Sequence, residues 1–291
     1  MKNSTAIIWA LLILFLSLPC CQGPPPDVEE PAVTEPEKAL RLACRINSYG
    51  AFQDAAWSHL PEIGIEYIFL NIPAADEVEA VRQQLADSGL TVVVLRGDAN
   101  LSQESSVQEL EAQLAICQQM DVKYMFLSPK RHGASKETIY SRLREVGNAA
   151  EKYGVTVVLE THPDLGTNGD VHLETMRQIN HPRIRVNFDS GNIHYYNEDA
   201  DAPTELRKVI DYLATVEIKD HNGVYNDWNF PALGQGVVDI PGVLKVLNEA
   251  GYEGPITMEI EGIKGVEWDE ETTKKAIEAS VDYLRSLGQF I

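Results

Sequence analysis

The stretch PGVLKVLNEAGYEGPITMEIE, residues 241–261, combines a helix with the strand that follows it. Apolar residues recur at helical spacing over residues 241–251, and the pattern ends near a glycine, which is typical of a helix C-terminus. The run PITMEIE at residues 255–261 is rich in strand-forming residues and predicts a strand. The apolar run ATVEIKD at residues 214–220 precedes the helix, so the whole region predicts a β-α-β unit with parallel strands.

The same alternation of short apolar runs and longer amphipathic runs extends along most of the chain. Further strands are predicted at residues 42–47, 65–71, 90–96, 123–128, 155–161 and 184–189, and further helices at 76–89, 106–120, 135–154 and 203–213. Eight strands alternating with helices predict an α/β protein, a single-domain (β/α)8 TIM barrel over residues 39–291, because such barrels occupy about 250 residues. A doubly wound open sheet is the competing architecture, but no strand is followed by its glycine-rich phosphate turn.

The N-terminus has the composition of an export signal. Residues 1–21 contain one basic residue, Lys2, an apolar stretch and a boundary of small residues and cysteines. The sequence LPCC at 18–21 resembles a lipobox, which makes Cys21 the candidate for lipidation; an ordinary cleaved signal without lipid is the alternative. Residues 22–38 are rich in proline and acidic residues and predict a disordered tether. We therefore expect an exported lipoprotein, anchored to a membrane and facing the periplasm or the cell surface.

Charge and cysteine content narrow the class of protein further. The formal net charge is -20 with no basic block, which argues against nucleic acid binding because phosphates need a positive surface. Cys44 lies in a predicted strand and Cys117 in a predicted helix, so both are predicted to be buried, unpaired thiols. A disulfide between them is the alternative.

Polar pairs stand at the carboxyl ends of the last four predicted strands. Residues two apart on a strand share a face, and a barrel gathers its functional groups at these ends. The pairs are Glu160 with His162, Asn187 with Asp189, Glu217 with Lys219, and Glu259 with Glu261. This placement predicts that side chains from strands five to eight meet at the mouth of the barrel.

Four of these side chains are carboxylates that would repel one another. Each like-charge pair about 4 Å apart costs about 4 kcal/mol at an effective dielectric constant of about 20. No arginine is interleaved with these positions in the sequence, which favours a bound divalent cation as the counter-charge. Oxygen ligands favour Mn²⁺ or Mg²⁺, with Zn²⁺ or Co²⁺ as alternatives. The predicted metal ligands are Glu160, Asp189, Glu217 and Glu259.

Each of these residues also has a purely structural interpretation. Asp189 is placed to cap the turn that begins at Ser190, and Glu217 is placed to pair with Lys219 across the mouth. His162 is predicted either to take part in catalysis or to orient a ligand and pack under a loop. These alternatives remain open at the level of the sequence.

Several stretches resemble one known family. VVLETHPD (157–164), RVNFDSGN (185–192), VEIKDHNG (216–223) and the run at 231–262 are similar to the sugar phosphate isomerase/epimerase family, the xylose isomerase-like TIM barrels. The resemblance covers residues from about 40 to 291. It implies that Glu160, Asp189 and Glu259 match three of the four metal ligands. It also implies that Glu160 and Glu259 form the acid/base pair on opposite faces of the substrate.

Two positions depart from the family pattern. Glu217 stands where most members carry a histidine ligand, so the implied site is more acidic and better suited to Mg²⁺ or Mn²⁺. Asn192 stands where some epimerases place a histidine, and it is a candidate for substrate binding. Asn71, Arg96 and Glu261, near the ends of their strands, are further candidates for substrate binding.

The resulting hypothesis is a metal-dependent isomerase or epimerase that transfers a proton next to the carbonyl of a free or keto-sugar. Glu160, Glu259, Lys219 and His162 are the candidate catalytic residues. The alternatives are a 3-keto-glycoside lyase or hydratase, and a non-catalytic, surface-tethered sugar-binding protein. The expected partners are a small-molecule carbohydrate and a membrane, the latter through the lipid anchor only. Assembly into a homo-oligomer is also compatible with the sequence.

Overall fold

A computed structural model describes residues 40–288 and residue 290. The predicted signal at 1–21, with Cys21, and the predicted tether at 22–38 lie outside the described residues. The described part forms a closed barrel of eight parallel strands, and the last pairs with the first. The (β/α)8 TIM barrel prediction is therefore confirmed. The barrel strands are β1 (Leu42–Arg45), β2 (Tyr67–Asn71), β3 (Thr91–Arg96), β4 (Tyr124–Leu127), β5 (Thr156–Glu160), β6 (Ile184–Asp189), β7 (Leu213–Ile218) and β9 (Ile256–Met258).

Helices follow the strands and cover the outside of the barrel. They are α1 (Ala56–Glu62), α2 (Val78–Ser88), α3 (Ser106–Gln119), α4 (Lys136–Tyr153), α5 (Gly169–Ile179), α6 (Ser190–Tyr196), α7 (Ala202–Val209), α8 (Ile240–Glu249) and α9 (Glu270–Leu287). Helices α1, α5, α6 and α9 were not predicted from the sequence. Within residues 40–288 and 290, no helix is long and apolar enough to cross a membrane.

A small antiparallel ribbon lies outside the barrel sheet. Its two strands, β8 (Asn229–Phe230) and β10 (Gly262–Ile263), connect the segment after β7 with the segment after β9. Both of these barrel strands are shorter than predicted, ending at Ile218 and Met258. The polar residues that follow them are nevertheless held in place, because the backbone N–H of Glu259 donates to the carbonyl of Ile218 at 3.0 Å.

The barrel core separates a packed floor from a polar mouth. A cluster that includes Phe69, Phe126 and Val158 packs together, and the two phenylalanine rings meet edge to face with centroids 5.4 Å apart. The larger core, rich in leucine, isoleucine and valine, includes residues of both strands and helices. Cys44 and Cys117 are buried and unpaired, as predicted. The floor thus supports side chains that reach the mouth from the strand ends.

Candidate active site

The four predicted carboxylates come together at the carboxyl ends of the strands. Glu160 and Asp189 end β5 and β6, Glu217 lies in β7, and Glu259 directly follows β9. All four are buried, with exposed fractions of 7% or less. Oxygen atoms of Glu160, Asp189 and Glu217 lie within 4.8 Å of one another, so these three form a group that could hold a metal ion. Glu259 does not belong to that group.

An arginine from the first strand enters the cluster, contrary to the expectation that a metal ion alone would balance it. Arg45 is the last residue of β1, and its Nη1 lies 2.8 Å from Oε1 of Glu217 and 2.6 Å from Oε1 of Glu259. The guanidinium carbon is 4.8 Å from the ring centroids of both Phe69 and Phe126. Its position at the carboxyl end of β1 is the sequence signal that could have identified Arg45, since functional groups of a barrel gather at these ends.

Lys219 supplies the second positive charge of the cluster. Its Nζ lies 3.0 Å from Oε2 of Glu259 and 3.5 Å from Oδ2 of Asp189, and it also contacts Glu261. Burial acts to lower the pKa of Lys219, but the surrounding carboxylates outweigh it and raise this pKa well above its usual value. Lys219 contacts Asp189, Glu259 and Glu261 but not Glu217, so the alternative in which Glu217 pairs with Lys219 is wrong. The cationic partner of Glu217 is Arg45.

Asp189 has two different oxygen environments. Its Oδ1 accepts hydrogen bonds from the backbone N–H groups of Gly191 and Asn192, both at 2.9 Å, and so caps α6. Its Oδ2 is buried without a hydrogen-bond partner among the described residues. Burial and the charge of Glu259 raise the pKa of Asp189 to about 7, although Lys219 acts in the opposite direction. The capping interpretation accounts for one oxygen, and the other lies in the cluster.

Neutral donors position the remaining carboxylates. Ser128, directly after β4, donates a short hydrogen bond to Oε2 of Glu160. Asn187 donates to Oε2 of Glu217 at 2.7 Å and accepts from Thr215 at 2.6 Å. The role of Ser128 was missed, although its place at a strand end could have indicated it. Asn187 was recognised only as a neighbour of Asp189 on the same face.

Asn192 connects two parts of the site. Its Nδ2 donates to the carbonyl of Thr161 at 3.0 Å and more weakly to Oε1 of Glu160 at 3.5 Å, while its Oδ1 accepts from Lys219 at 3.3 Å. Asn192 is 4% exposed. This candidate substrate-binding residue therefore already binds both Glu160 and Lys219.

Arg45 affects Glu217 and Glu259 differently. Burial raises the pKa of Glu217 well above its usual value, and Arg45 offsets only part of that shift. Burial also acts to raise the pKa of Glu259, but Arg45 and Lys219 outweigh it, so this pKa is lowered. Glu259 is therefore ionised at neutral pH.

The cluster fits a divalent cation. Two cationic side chains face five carboxylates, which leaves an excess of three negative charges when all are ionised; these carboxylates are Glu160, Asp189, Glu217, Glu259 and Glu261. The buried Oδ2 of Asp189 has no hydrogen-bond partner among the described residues, although Nζ of Lys219 lies 3.5 Å from it. Donor atoms that are all oxygen favour Mg²⁺ or Mn²⁺.

The other predicted residues lie around the cluster. His162 is half-buried; its Nδ1 is hydrogen-bonded to the carbonyl of Pro163, and its ring centroid is 5.1 Å from that of Tyr196. Asn71 is exposed at the end of β2, opposite Arg96 in the β2–β3 pairing. Arg96 is half-buried and close enough to help lower the pKa of Glu259. No contact between His162 or Asn71 and the carboxylates is recorded among the described residues.

A cavity adjoins the cluster on the side of Glu261. It has a volume of about 230 Å³ and lies between the segments that follow β1 and β9. Its walls include Ser48, Phe52 and Trp268, and Glu261 lines it while also contacting Lys219. The cavity therefore combines aromatic and polar walls next to the carboxylates.

Similarities to known sequences agree with the fold. Residues 58–287 match the model of the family described as Xylose isomerase-like TIM barrel. Over 211 residues the chain is 26% identical to the L-ribulose-5-phosphate 3-epimerase of Escherichia coli, which covers 72% of this chain and 64% of that protein. A second curated relative is matched over 48% of its length. The chain thus spans about half to two thirds of the length of these relatives.

Two solved structures share the architecture. A xylose isomerase domain protein from Planctomyces limnophilus has a TM-score of 0.71 and 20% identity, covering 86% of this chain and 98% of that one. The D-psicose 3-epimerase from Clostridium cellulolyticum H10 has a TM-score of 0.70 and 16% identity, covering 85% and 99%. These identities establish the fold alone, but the family model matches most of the chain. The protein therefore belongs to the family of xylose isomerase-like TIM barrels.

Proposed function

We propose that this protein is a divalent-metal-dependent isomerase or epimerase that moves a proton next to the carbonyl of a free or keto-sugar. The observation that carries the proposal is the buried group of Glu160, Asp189 and Glu217, in which Oδ2 of Asp189 has no hydrogen-bond partner among the described residues. The similarity to an L-ribulose-5-phosphate 3-epimerase and to a D-psicose 3-epimerase supports this class of reaction. The export predicted from residues 1–21 makes a phosphorylated, cytosolic sugar a poor match as substrate.

Glu160, Asp189 and Glu217 would hold the ion, with Mn²⁺ or Mg²⁺ the best match to their oxygen atoms. When bound, such an ion polarises a carbonyl oxygen and stabilises negative charge that develops on it. Glu259, outside this group, is left for proton transfer. Glu259 would thus serve proton transfer alone, whereas Glu160 would both hold the ion and transfer a proton.

Glu259 and Glu160 would act as the acid/base pair. Glu259 is ionised because Arg45 and Lys219 lower its pKa, so it is able to accept a proton from a sugar carbon. Glu160, on β5, receives hydrogen bonds from Ser128 and Asn192. It would return to the sugar a proton taken up from solvent, and Glu259 would release the abstracted proton to solvent after the reaction. Lys219 would stabilise negative charge on the sugar oxygen, because its ammonium group already lies among the carboxylates.

The test is proton exchange in D2O. Purified protein lacking residues 1–38 is loaded with Mn²⁺ and incubated with a panel of ketoses, aldoses and 3-keto-sugars, and NMR follows the loss of carbon-bound hydrogen. We expect exchange and a new epimer or isomer with at least one sugar, and loss of exchange in Glu259→Gln. Glu267→Gln, an exposed residue in the same part of the chain, is the matched control. If sugars bind but none of them exchanges a carbon-bound hydrogen, the result would instead support a non-catalytic sugar-binding protein.

The cavity beside Glu261 favours a second candidate reaction on the same site. Its volume of about 230 Å³ and its walls of Phe52 and Trp268 suit the substituent at C1 of a 3-keto-glycoside. Proton removal next to the keto group followed by departure of that substituent would make the protein a lyase. A chromogenic 3-keto-glycoside separates the two reactions, since only the lyase releases its aglycone.

The export prediction is also part of the proposal. The lipobox-like sequence supports lipidation of Cys21 and a position on the periplasmic side or at the cell surface. Labelling with a fatty-acid analogue and membrane fractionation test it. We expect labelled protein in the membrane fraction and unlabelled, released protein for Cys21→Ser; a parent protein that is unlabelled and soluble contradicts the proposal.

A further inference from the structure

Arg45 occupies an unusual position for a residue of the first strand. It is 5% exposed, and its Nη1 is shared between Glu217 and Glu259, which come from β7 and from the segment after β9. Because β1 pairs with β9 and β9 pairs with β7 in the closed barrel, Arg45 reaches carboxylates on neighbouring strands that come from the other end of the sequence. Neither the sequence resemblance nor the expected metal site includes this residue.

The surroundings fix the guanidinium where it is. Arg45 is paired with Phe69 in the β1–β2 register, and the guanidinium lies 4.8 Å from the rings of Phe69 and Phe126. A cation near two aromatic faces is attracted by both rings, and burial makes this attraction stronger. The side chain is thus held by the floor of the barrel below and by two carboxylates above.

The carboxylates depend on this positive charge. Glu217 is fully buried, and its other recorded partner is the neutral amide of Asn187. A buried carboxylate without a cationic partner is strongly unfavourable, and removing one member of a buried ion pair leaves the other uncompensated. Lys219 does not replace Arg45 here, because it contacts Asp189, Glu259 and Glu261 but not Glu217.

We propose that Arg45 is a built-in counter-cation: a positioning residue that holds Glu217 and Glu259 in the metal-free protein and supplies fixed positive charge beside the ion. The first half of the proposal concerns the protein alone, and the second half rests on the proposed metal site. Arg45 would not contact the reacting atoms. It would instead limit how strongly the cluster attracts a cation, while keeping the carboxylates ordered before one arrives.

The first test is a double-mutant cycle on metal-free protein. Thermal unfolding is measured for the parent, Arg45→Met, Glu217→Gln and the double variant after removal of metal by a chelator. Methionine keeps an unbranched apolar chain between the phenylalanine rings. We expect Arg45→Met to lower the Tm clearly and the double variant to lose much less than the sum of the single changes, because the buried charge is then removed. Additive losses would overturn the proposal.

The second test measures binding of Mn²⁺ by calorimetry. Arg45→Met should bind Mn²⁺ about tenfold more tightly or better, since a positive charge paired with the proposed ligand Glu217 is removed. Arg45→Lys keeps the charge and should bind close to the parent. Arg207→Met is the control for loss of an arginine outside the cluster, because Arg207 pairs with Glu249 at the surface. Unchanged or weaker binding by Arg45→Met contradicts the second half of the proposal. If Arg45→Met does not fold, the double variant is compared with Glu217→Gln.

The two tests separate the inference from the proposed function. Coupling between Arg45 and Glu217 together with no Mn²⁺ binding by any variant would leave Arg45 as the positioning residue and reject the metal-dependent reaction. If the parent binds Mn²⁺ and exchanges sugar hydrogen but Arg45 and Glu217 are not coupled, the metal-dependent reaction is supported and the role of Arg45 as a positioning residue is rejected.

Discussion

Asp189 uses one oxygen for the fold and the other for the cluster. Oδ1 caps α6, and Oδ2 has no hydrogen-bond partner among the described residues. The two interpretations that the sequence left open for this residue are therefore compatible. Such a division of one carboxylate makes it possible to remove the charge and keep the cap.

Asp189→Asn should weaken Mn²⁺ binding by at least about tenfold while leaving the metal-free Tm close to that of the parent. The amide oxygen still accepts the two backbone hydrogen bonds, but the anionic ligand is lost. Calorimetric titration and thermal unfolding measure the two effects. Asp201→Asn, at the cap of α7, is the matched control because its carboxylate accepts from Thr204 outside the cluster. Parent-like affinity in Asp189→Asn would remove this residue from the ion site.

The sequence revealed individual side chains but not their pairing. The alternation of side chains along a strand and the positions of the strand ends were enough to predict that four carboxylates lie at the mouth: Glu160, Asp189, Glu217 and Glu259. Arg45 is 172 positions away from Glu217 in the chain, and only the closed register of the barrel brings them together. Whether a carboxylate meets an arginine or a metal ion depends on that three-dimensional pairing, so the charge balance could not be predicted from spacing.

At the scale of elements, the segment after β7 is organised by one carboxylate. Asp220 accepts hydrogen bonds from four backbone N–H groups: Oδ1 from His221 at 2.8 Å and Val238 at 3.2 Å, and Oδ2 from Gly234 at 2.9 Å and Gly236 at 2.8 Å. A side chain at Gly236 would collide with this carboxylate, since its Cβ would lie 2.1 Å from Oδ1. The glycine-containing loop seen in the sequence thus has a physical cause.

Asp220→Asn should loosen residues 221–238 without unfolding the barrel. An amide offers one acceptor oxygen where the carboxylate offers two, so two of the four backbone donors lose their partner. Hydrogen exchange followed by mass spectrometry should become faster in this segment, and the Mn²⁺ affinity should stay near the parent value. Asp239→Asn, at the cap of α8, is the control. Parent-like exchange over residues 221–238 would contradict the role given to Asp220.

Helix α5 contains a buried histidine that makes the fold sensitive to acid. Burial lowers the pKa of His172 from 6.5 to about 3. Between these pH values the unfolded chain binds a proton that the folded protein does not, so stability is full above pH 6.5 and is lost as pH falls. The contribution is about 1.4 kcal/mol for each pH unit.

His172→Gln should therefore flatten the loss of stability between pH 6.5 and pH 4. Denaturant unfolding at a series of pH values measures the slope, which does not depend on how much the substitution changes stability overall. The exposed His132, changed to Asn, should leave the slope unchanged. An identical slope in His172→Gln and the parent would show that other groups cause the acid sensitivity.

The element boundaries were predicted unevenly. Strand β6 was predicted over its whole length, and α4 to within one residue at each end, because both have clear periodicity and flanking signals. Strand β9 is shorter than the predicted 255–261, since the chain leaves the sheet to place Glu259 and Glu261 at the mouth. Helix α6 has seven residues, too few for a periodic pattern to be recognised.

At the scale of the whole molecule, the barrel combines an apolar floor with a concentrated negative charge at one end. The sequence as a whole also has more acidic than basic residues, with a formal net charge of -20. A cation bound at the mouth should stabilise the entire domain, because binding to the folded state alone shifts the unfolding equilibrium.

Saturation with Mn²⁺ at about 100 times its Kd should stabilise the protein by about 3 kcal/mol. For a domain of this size that corresponds to a rise in Tm of about 5 to 10 °C. Thermal unfolding with and without a chelator measures it, and Glu160→Gln should abolish most of the rise. Na⁺ at equal ionic strength is the control for screening of surface charge. Equal rises in the parent and in Glu160→Gln would place the stabilising ion elsewhere.

The ribbon of β8 and β10 joins the segment that carries Lys219 to the segment that carries Glu259, and the N–H of Lys264 adds a bond to the carbonyl of Trp228 at 2.9 Å. Neither segment can move outward alone without breaking these hydrogen bonds. Any opening on that side of the mouth therefore moves both segments together, and Glu259 keeps Lys219 as its neighbour throughout the movement.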